Sequence, residues 1–156
     1  MRLKKCDSEF IDHNTLAVTA LFTHGMRSRI YTRNGIRDSA LTPLQLIDRA
    51  CMRYASTYEG RVAAIRYSLD LHKKTPVLIS PNDLGAFPTM SPKHLECAWI
   101  FNHEFMLEPA EMQTRLIFEQ NISVTLNVSM HTIKKQKSRL YEILYFYSKD
   151  RRPIRL

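Results

Sequence analysis

A single α+β domain, with antiparallel strands packed against two main helices, is the fold class this sequence predicts. Three observations carry it. The chain has 156 residues, the size of one domain, and is 44% hydrophobic, enough for a real core. Short apolar, β-rich runs recur between turn residues. Two longer segments repeat apolar side chains at three- and four-residue steps behind a capping residue.

Thr15-Leu16-Ala17-Val18-Thr19-Ala20-Leu21-Phe22 reads as a strand and Arg27–Arg33 as a second. Thr23-His24-Gly25 turns between them, and Asn34-Gly35 turns after them. Thr42-Pro43 predicts a helix start, with threonine as the cap and proline in the first turn. Leu44, Ile47, Cys51 and Tyr54 then share one side of a helix over about 43–54, while Asp48, Arg49 and Arg53 point away. Tyr58-Glu59-Gly60-Arg61 breaks this helix or bridges to a second short one. Ala63–Leu71 fits helix and strand equally. Val77–Ser80 predicts a strand, Pro81-Asn82-Asp83 a turn and Leu84–Pro88 an antiparallel return. Ser91–His94 reads as a loop and Cys97–Phe101 as a buried strand. Leu107-Glu108-Pro109 predicts a loop, and Ala110–Thr114 a helical turn. Arg115–Glu119 and Ile122–Val128 read as strands joined at Gln120-Asn121. Ser129 caps a long helix reaching about Ser148, with Ile133, Leu140, Ile143, Leu144 and Tyr147 on its apolar side. Residues 1–148 are expected to form one domain and 149–156 a short basic tail. Trp99, Phe101, Leu44, Ile47 and Leu140 are the expected core.

Several function classes fall away. No apolar run approaches the roughly 20 residues of a membrane-spanning helix, so no membrane partner is expected. No apolar stretch follows the basic N-terminus, which argues against a secretory signal. Cys6, Cys51 and Cys97 are sparse and unpaired in spacing, as suits a reduced, cytoplasmic protein. His103-Glu104 begins a zinc-protease pattern, but Leu107 stands where the second histidine is needed. His94, Cys97 and His103 lack finger spacing, and Cys51 and Cys97 read as core side chains. There is no Gly-x-Ser-x-Gly and no glycine-rich phosphate loop. The expectation is a non-enzymatic protein with no metal and no cofactor.

Charge is more informative. The net charge is +8, with a pI near 9.6. Residues 76–128 hold two basic and six acidic side chains, and residues 129–156 hold eight and two. Segregation of this kind favours a polyanionic partner over a uniformly solvated surface. Lys134, Lys135, Lys137 and Arg139 crowd the first half of the last helix; this is a solvated face or a phosphate-contacting surface, and like-charge repulsion means that stability alone would not favour the cluster. Arg49 and Arg53 lie four apart on one helix face, and Arg61 follows. Lys73 and Lys74 sit in a basic turn. These nine are the candidate DNA-binding residues, for phosphate or minor-groove contact. Arg151, Arg152 and Arg155 are weaker candidates on a mobile arm.

Five blocks, Thr42–Cys51, Tyr58–Arg61, His72–Val77, Phe87-Pro88-Thr89 and Cys97–Ile100, stand in an order and spacing that resembles the competence transcription factor family, ComK. The resemblance implies a nucleoid-associated transcriptional activator. It would bind AT-rich double-stranded promoter DNA largely through the minor groove, as a homodimer with two dimers on the site, and switch on DNA-uptake genes. It also implies an adaptor-protease regulator that recognises a C-terminal tail motif. Phe105-Met106-Leu107-Glu108-Pro109 looks a little like that motif, but it lies mid-chain. The alternative is an interaction protein whose basic face docks an acidic protein or modulates a longer ComK relative. RNA binding is a third reading, but no exposed aromatic platform is evident.

Overall fold

The computed structural model describes residues 11–148. Its first three strands are neighbours in space as well as in sequence: β1 (Thr15–Thr23), β2 (Met26–Thr32) and β3 (Gly35–Ser39). The β1–β2 turn is two residues long, with His24 and Gly25 both at positive φ, the twist-matched geometry of a tight hairpin. Helix α1 (Pro43–Met52) follows, then α2 (Tyr58–Leu69). Thr42 caps α1 through a full capping box: its hydroxyl accepts from the Gln45 N–H, and the Gln45 side chain accepts from the Thr42 N–H. The Asp48 carboxylate accepts the Tyr58 N–H at 2.8 Å and so fixes where α2 begins.

Strands β4 (Val77–Ser80), β5 (Leu84–Pro88) and β6 (Trp99–Phe101) complete a six-stranded antiparallel sheet in the order β3-β2-β1-β6-β5-β4. A second sheet holds β7 (Phe105–Ala110), β8 (Gln113–Phe118) and β9 (Ser123–Leu126), and the chain then enters α3 (Met130–Phe146). The period-two alternation of the large sheet sorts most of its side chains into two cores, and Leu78 joins Ile65 of α2 and Ile143 of α3 in a third, smaller one. Val18, Ile30, Ala86, Trp99 and Phe101 meet Leu46, Ile47, Ala50 and Cys51 of α1. Ala17, Phe87 and Ile100 face the other way, onto Leu116, Phe118 and Val124 of the small sheet and Ile133 and Leu140 of α3.

The α+β class stands, and the ambiguous stretch after Tyr58 is a third helix of 12 residues. Two expectations are corrected. Leu107-Glu108-Pro109 is not a loop but part of β7, an edge strand, where proline is tolerated. Ala110–Thr114 is not a helical turn. Ala110 pairs with Gln113 across a two-residue hairpin turn in which Glu111 and Met112 both adopt positive φ. No Gly or Asn marks this turn, so the left-handed backbone falls on residues that adopt it at a cost. Replacing Glu111 by Asn and Met112 by Gly together should raise stability by about 1 kcal/mol in urea unfolding; no gain would mean the turn is relaxed as it is.

Gly85 lets α3 approach the sheet closely. A Cβ there would lie 2.8 Å from the buried Leu140 Cδ1 and 3.1 Å from the Val77 carbonyl oxygen. Gly85→Ala should therefore destabilise by about 1–3 kcal/mol, and a melting curve identical to the parent would rule out this tight contact. Leu44, expected in the core, is half-buried at its margin, whereas Trp99, Phe101, Ile47 and Leu140 are fully buried. Cys6, the basic tail 149–156 and its Arg151, Arg152 and Arg155 lie outside the described residues.

Candidate nucleic-acid interface

Strand register decides which loops meet. Val77 pairs with Ala86, Pro88 with Trp99, Trp99 with Val18, and Val18 with Ile30. Followed in one direction, these strands lead to Lys73-Lys74, to the segment 89–98 and to the β1–β2 turn. One end of the large sheet therefore gathers three loops that are distant in sequence. One side-chain amide, Gln136 Nε2, reaches both the Lys74 and the Pro88 carbonyls, which places the first two of these loops side by side.

The Lys73-Lys74 loop is held by its backbone. Asp70 ends α2 in the left-handed region and Lys74 adopts it again. From α3, the buried Gln136 Nε2 donates to the Lys74 carbonyl at 2.9 Å and to the Pro88 carbonyl at 2.8 Å. Arg139 Nη2 donates to the Lys73 carbonyl at 2.8 Å. Arg66 Nε donates to Thr75 Oγ1, and that hydroxyl donates to the Leu71 carbonyl. With their carbonyls drawn inward, Lys73 and Lys74 present exposed ammonium groups that form no ion pair among the described residues.

The other candidates divide. Lys134 and Lys135 are exposed on the outer side of α3. Lys137 and Arg139 lie about 160° apart around the same helix, so the run of four cations is not one face. Lys137 Nζ donates to Glu104 at 3.3 Å and sits 4.7 Å from the centroid of the Phe105 ring. Arg139 is half-buried, donates to the Gln136 side chain as well as to Lys73, and burial lowers its pKa. Arg53 donates to the Ile11 carbonyl, before β1 and so at the opposite end of the sheet. Arg61 is half-buried against the Tyr54 carbonyl, and Arg49 is exposed on the outer side of α1. Helix α3 follows a strand, so it is not the second helix of a helix-turn-helix.

The structure adds residues that sequence reasoning passed over. Arg27, beside the β1–β2 turn, and Lys93, in the loop before β6, line an open cleft of about 620 Å³ at the same end of the sheet. Phe22, Met26 and Leu95 are exposed around it. The one legible signal was Phe22, a large apolar residue immediately before a turn.

Burial pushes the Cys51 thiol up to about 12 and also raises Cys97, so both stay protonated and unreactive. Among the described residues no group of three or more His, Cys, Asp or Glu side chains could hold a metal. No helix among them is long and apolar enough to cross a membrane. His103 is held below its ordinary pKa, first by burial and then by Arg33, whose Nη2 lies 3.2 Å from His103 Nδ1. A histidine depressed in the folded state binds fewer protons than in the unfolded chain. Its contribution is complete above the ordinary value of 6.5 and is lost as pH falls through and below it. His103→Asn should flatten that acid-side loss in urea unfolding between about pH 7 and pH 5; an unchanged slope would assign the loss to other groups.

Helix α1 on one face of an antiparallel sheet, α3 and a small sheet on the other, and α2 beside β4 in contact with α1 and α3 define a small α+β protein with a cationic loop end. The family model for the ComK protein matches residues 7–152, and the chain belongs to that family. It is 28% identical over 112 residues to the competence transcription factor of Bacillus subtilis (strain 168). That match covers 70% of this chain and 58% of the relative, so the chain spans little more than half the relative's length. No solved structure matches it.

Proposed function

We propose that this chain is a DNA-binding transcription regulator of the ComK type, acting on AT-rich promoter boxes through the minor groove to switch on DNA-uptake genes. The observation that carries the reading is the convergence of Lys73, Lys74, Arg27 and Lys93 at one end of the sheet in a chain of this family. On α3, Lys135 lies one turn before Arg139 and extends the surface, whereas Lys134 lines a recess with Phe105, Leu107, Met130 and Lys137 and is an outlying contact. Phosphate neutralisation by these side chains supplies affinity, and the narrow, strongly negative minor groove of A-tracts supplies the preference. Arg49 joins as an outlying contact, whereas Arg53, Arg61, Lys137 and Arg139 act chiefly through the protein groups they already hold.

A homodimer, with two dimers on one site, matches a palindromic box. Residues 1–148 act as the DNA-binding domain and 149–156 as a basic arm, at the nucleoid in the cytoplasm. Control by an adaptor and protease would act elsewhere than Phe105–Pro109, because Phe105 and Leu107 are packed into the second core.

Fluorescence anisotropy across a salt series tests the reading with two duplexes, one carrying paired A- and T-tracts and one GC-rich. Tighter binding to the AT duplex with a steep salt dependence is expected. Weak and equal binding to both would overturn it and return the surface to an acidic protein partner.

A further inference from the structure

We propose that the tip of the β1–β2 hairpin, with the 92–95 loop beside it, is an apolar wedge that enters between base pairs and kinks the duplex. The inference rests on the DNA-binding reading above and names how that surface engages its ligand. Phe22 is 69% exposed, Leu95 77% and Met26 40%. Single exposed apolar residues need no explanation, but three around one cleft mark an interaction surface.

The chemistry of the cleft selects the occupant. Arg27, Lys93, His24 and His94 line it, and no carboxylate does. The other hairpin arginine, Arg29, is neutralised by Asp38 at 3.0 Å, whereas Arg27 has no such pair among the described residues. The surface therefore favours a ligand that is anionic and also offers flat apolar faces. Duplex DNA has both, phosphates at the rim and base pairs within. The cleft also lies at the same end of the sheet as Lys73 and Lys74.

Shape points the same way. Phe22 lines this cleft and also a neighbouring recess beside Tyr31, Thr89 and Leu126, so its ring stands on the ridge between two hollows. The turn behind it is two residues long, and the β1–β2 register shifts between Ala20 and Thr23, so an irregularity in the strand turns Phe22 outward just before the hairpin tip. Apolar side chains carried into the minor groove in this way unstack a base step and bend the helix towards the major groove.

The test uses the full chain and a duplex with paired A- and T-tracts, end-labelled for energy transfer and carrying 2-aminopurine at the central step. The parent protein is expected to shorten the end-to-end distance and brighten the 2-aminopurine. Phe22→Ala with Leu95→Ala should bind this duplex about tenfold more weakly and bend it less. The same variant should bind a duplex with a central mismatch nearly as tightly as the parent, because the step is already loosened. Phe22→Leu should restore part of the bend. Both substituted side chains are exposed, so folding is preserved, and circular dichroism checks this. Parent protein that binds tightly without bending or brightening overturns the wedge and leaves the DNA reading standing. So does a double variant with undiminished affinity, which would assign the cleft to a protein partner. Parent protein that binds no duplex overturns the DNA reading and the wedge with it.

Discussion

Gln136→Leu is expected to lower the free energy of unfolding by about 3 kcal/mol, although leucine matches glutamine in size. Position 136 lies between Ile133 and Leu140 on the buried stripe of α3, where hydrophobic periodicity alone would choose an apolar residue. The glutamine is there for its amide. Nε2 supplies both the Lys74 and the Pro88 carbonyls, and Oε1 accepts from Arg139. Leucine would leave two carbonyls without a donor at a side chain only 2% exposed, at about 1–3 kcal/mol for each buried group. Urea unfolding measures the loss. Amide exchange at Lys73–Thr75 should rise in parallel, because those residues hang from α3 by these bonds. A leucine variant as stable as the parent would mean that water satisfies both carbonyls.

Lys73→Ala combined with Lys74→Ala is expected to weaken DNA binding by about ten- to a hundredfold at low salt and to flatten the plot of log affinity against log salt by about 2. Each free ammonium that neutralises a phosphate releases close to one counterion, and neither lysine is neutralised by a protein partner among the described residues. Lys137→Ala is the control. Glu104 already faces that charge at 3.3 Å, so its removal should leave the slope as it was. The Lys134→Ala, Lys135→Ala pair should fall between these two. Equal slopes for the parent and the Lys73, Lys74 variant would take the loop out of the interface.

Much of the fold could be read from residues whose chemistry is local. Thr42-Pro43 announces α1 and Ser129 announces α3, because both caps act within one turn of their own position. Helix α2 was ambiguous for a physical reason. Val62 and Ile65 are buried, but Ala63, Ala64 and Tyr67 are exposed, so both sides of the helix carry apolar residues and the period is blurred. Strand β3 escaped notice as an edge with mixed side chains, and the β7–β8 hairpin because its turn residues are Glu111 and Met112.

The candidate site divides along the same line. Lys73 and Lys74 stand out as a charged pair in a turn. Arg27 is one of three arginines along a strand and Lys93 is a single cation in a loop, and only the strand register brings the two to the same end of the sheet. Conversely, the densest cationic run, on α3, is dispersed by helical geometry and partly used up by Glu104 and by the Lys73 carbonyl. The blocks that carry the family resemblance hold Ile47, Cys51, Val77, Phe87 and Trp99, all buried. They record the scaffold more than the contacts it displays.

The order of the large sheet also carries a kinetic consequence. Strands β1–β3 and β4–β6 are each joined by short connections within their own half, and a single ladder, Ala17 to Ile100 and Val18 to Trp99, zips the halves together. Its partners lie about eighty residues apart along the chain, so closing that seam is the slow, entropically costly event of folding. On the ribosome, α1 can cover Val18 and Ile30 early, but the opposite face of the first half, with Leu16 and Ala17, stays uncovered until Ile100 and the small sheet have emerged. That apolar face is a waiting template, and chaperone demand should peak in that interval.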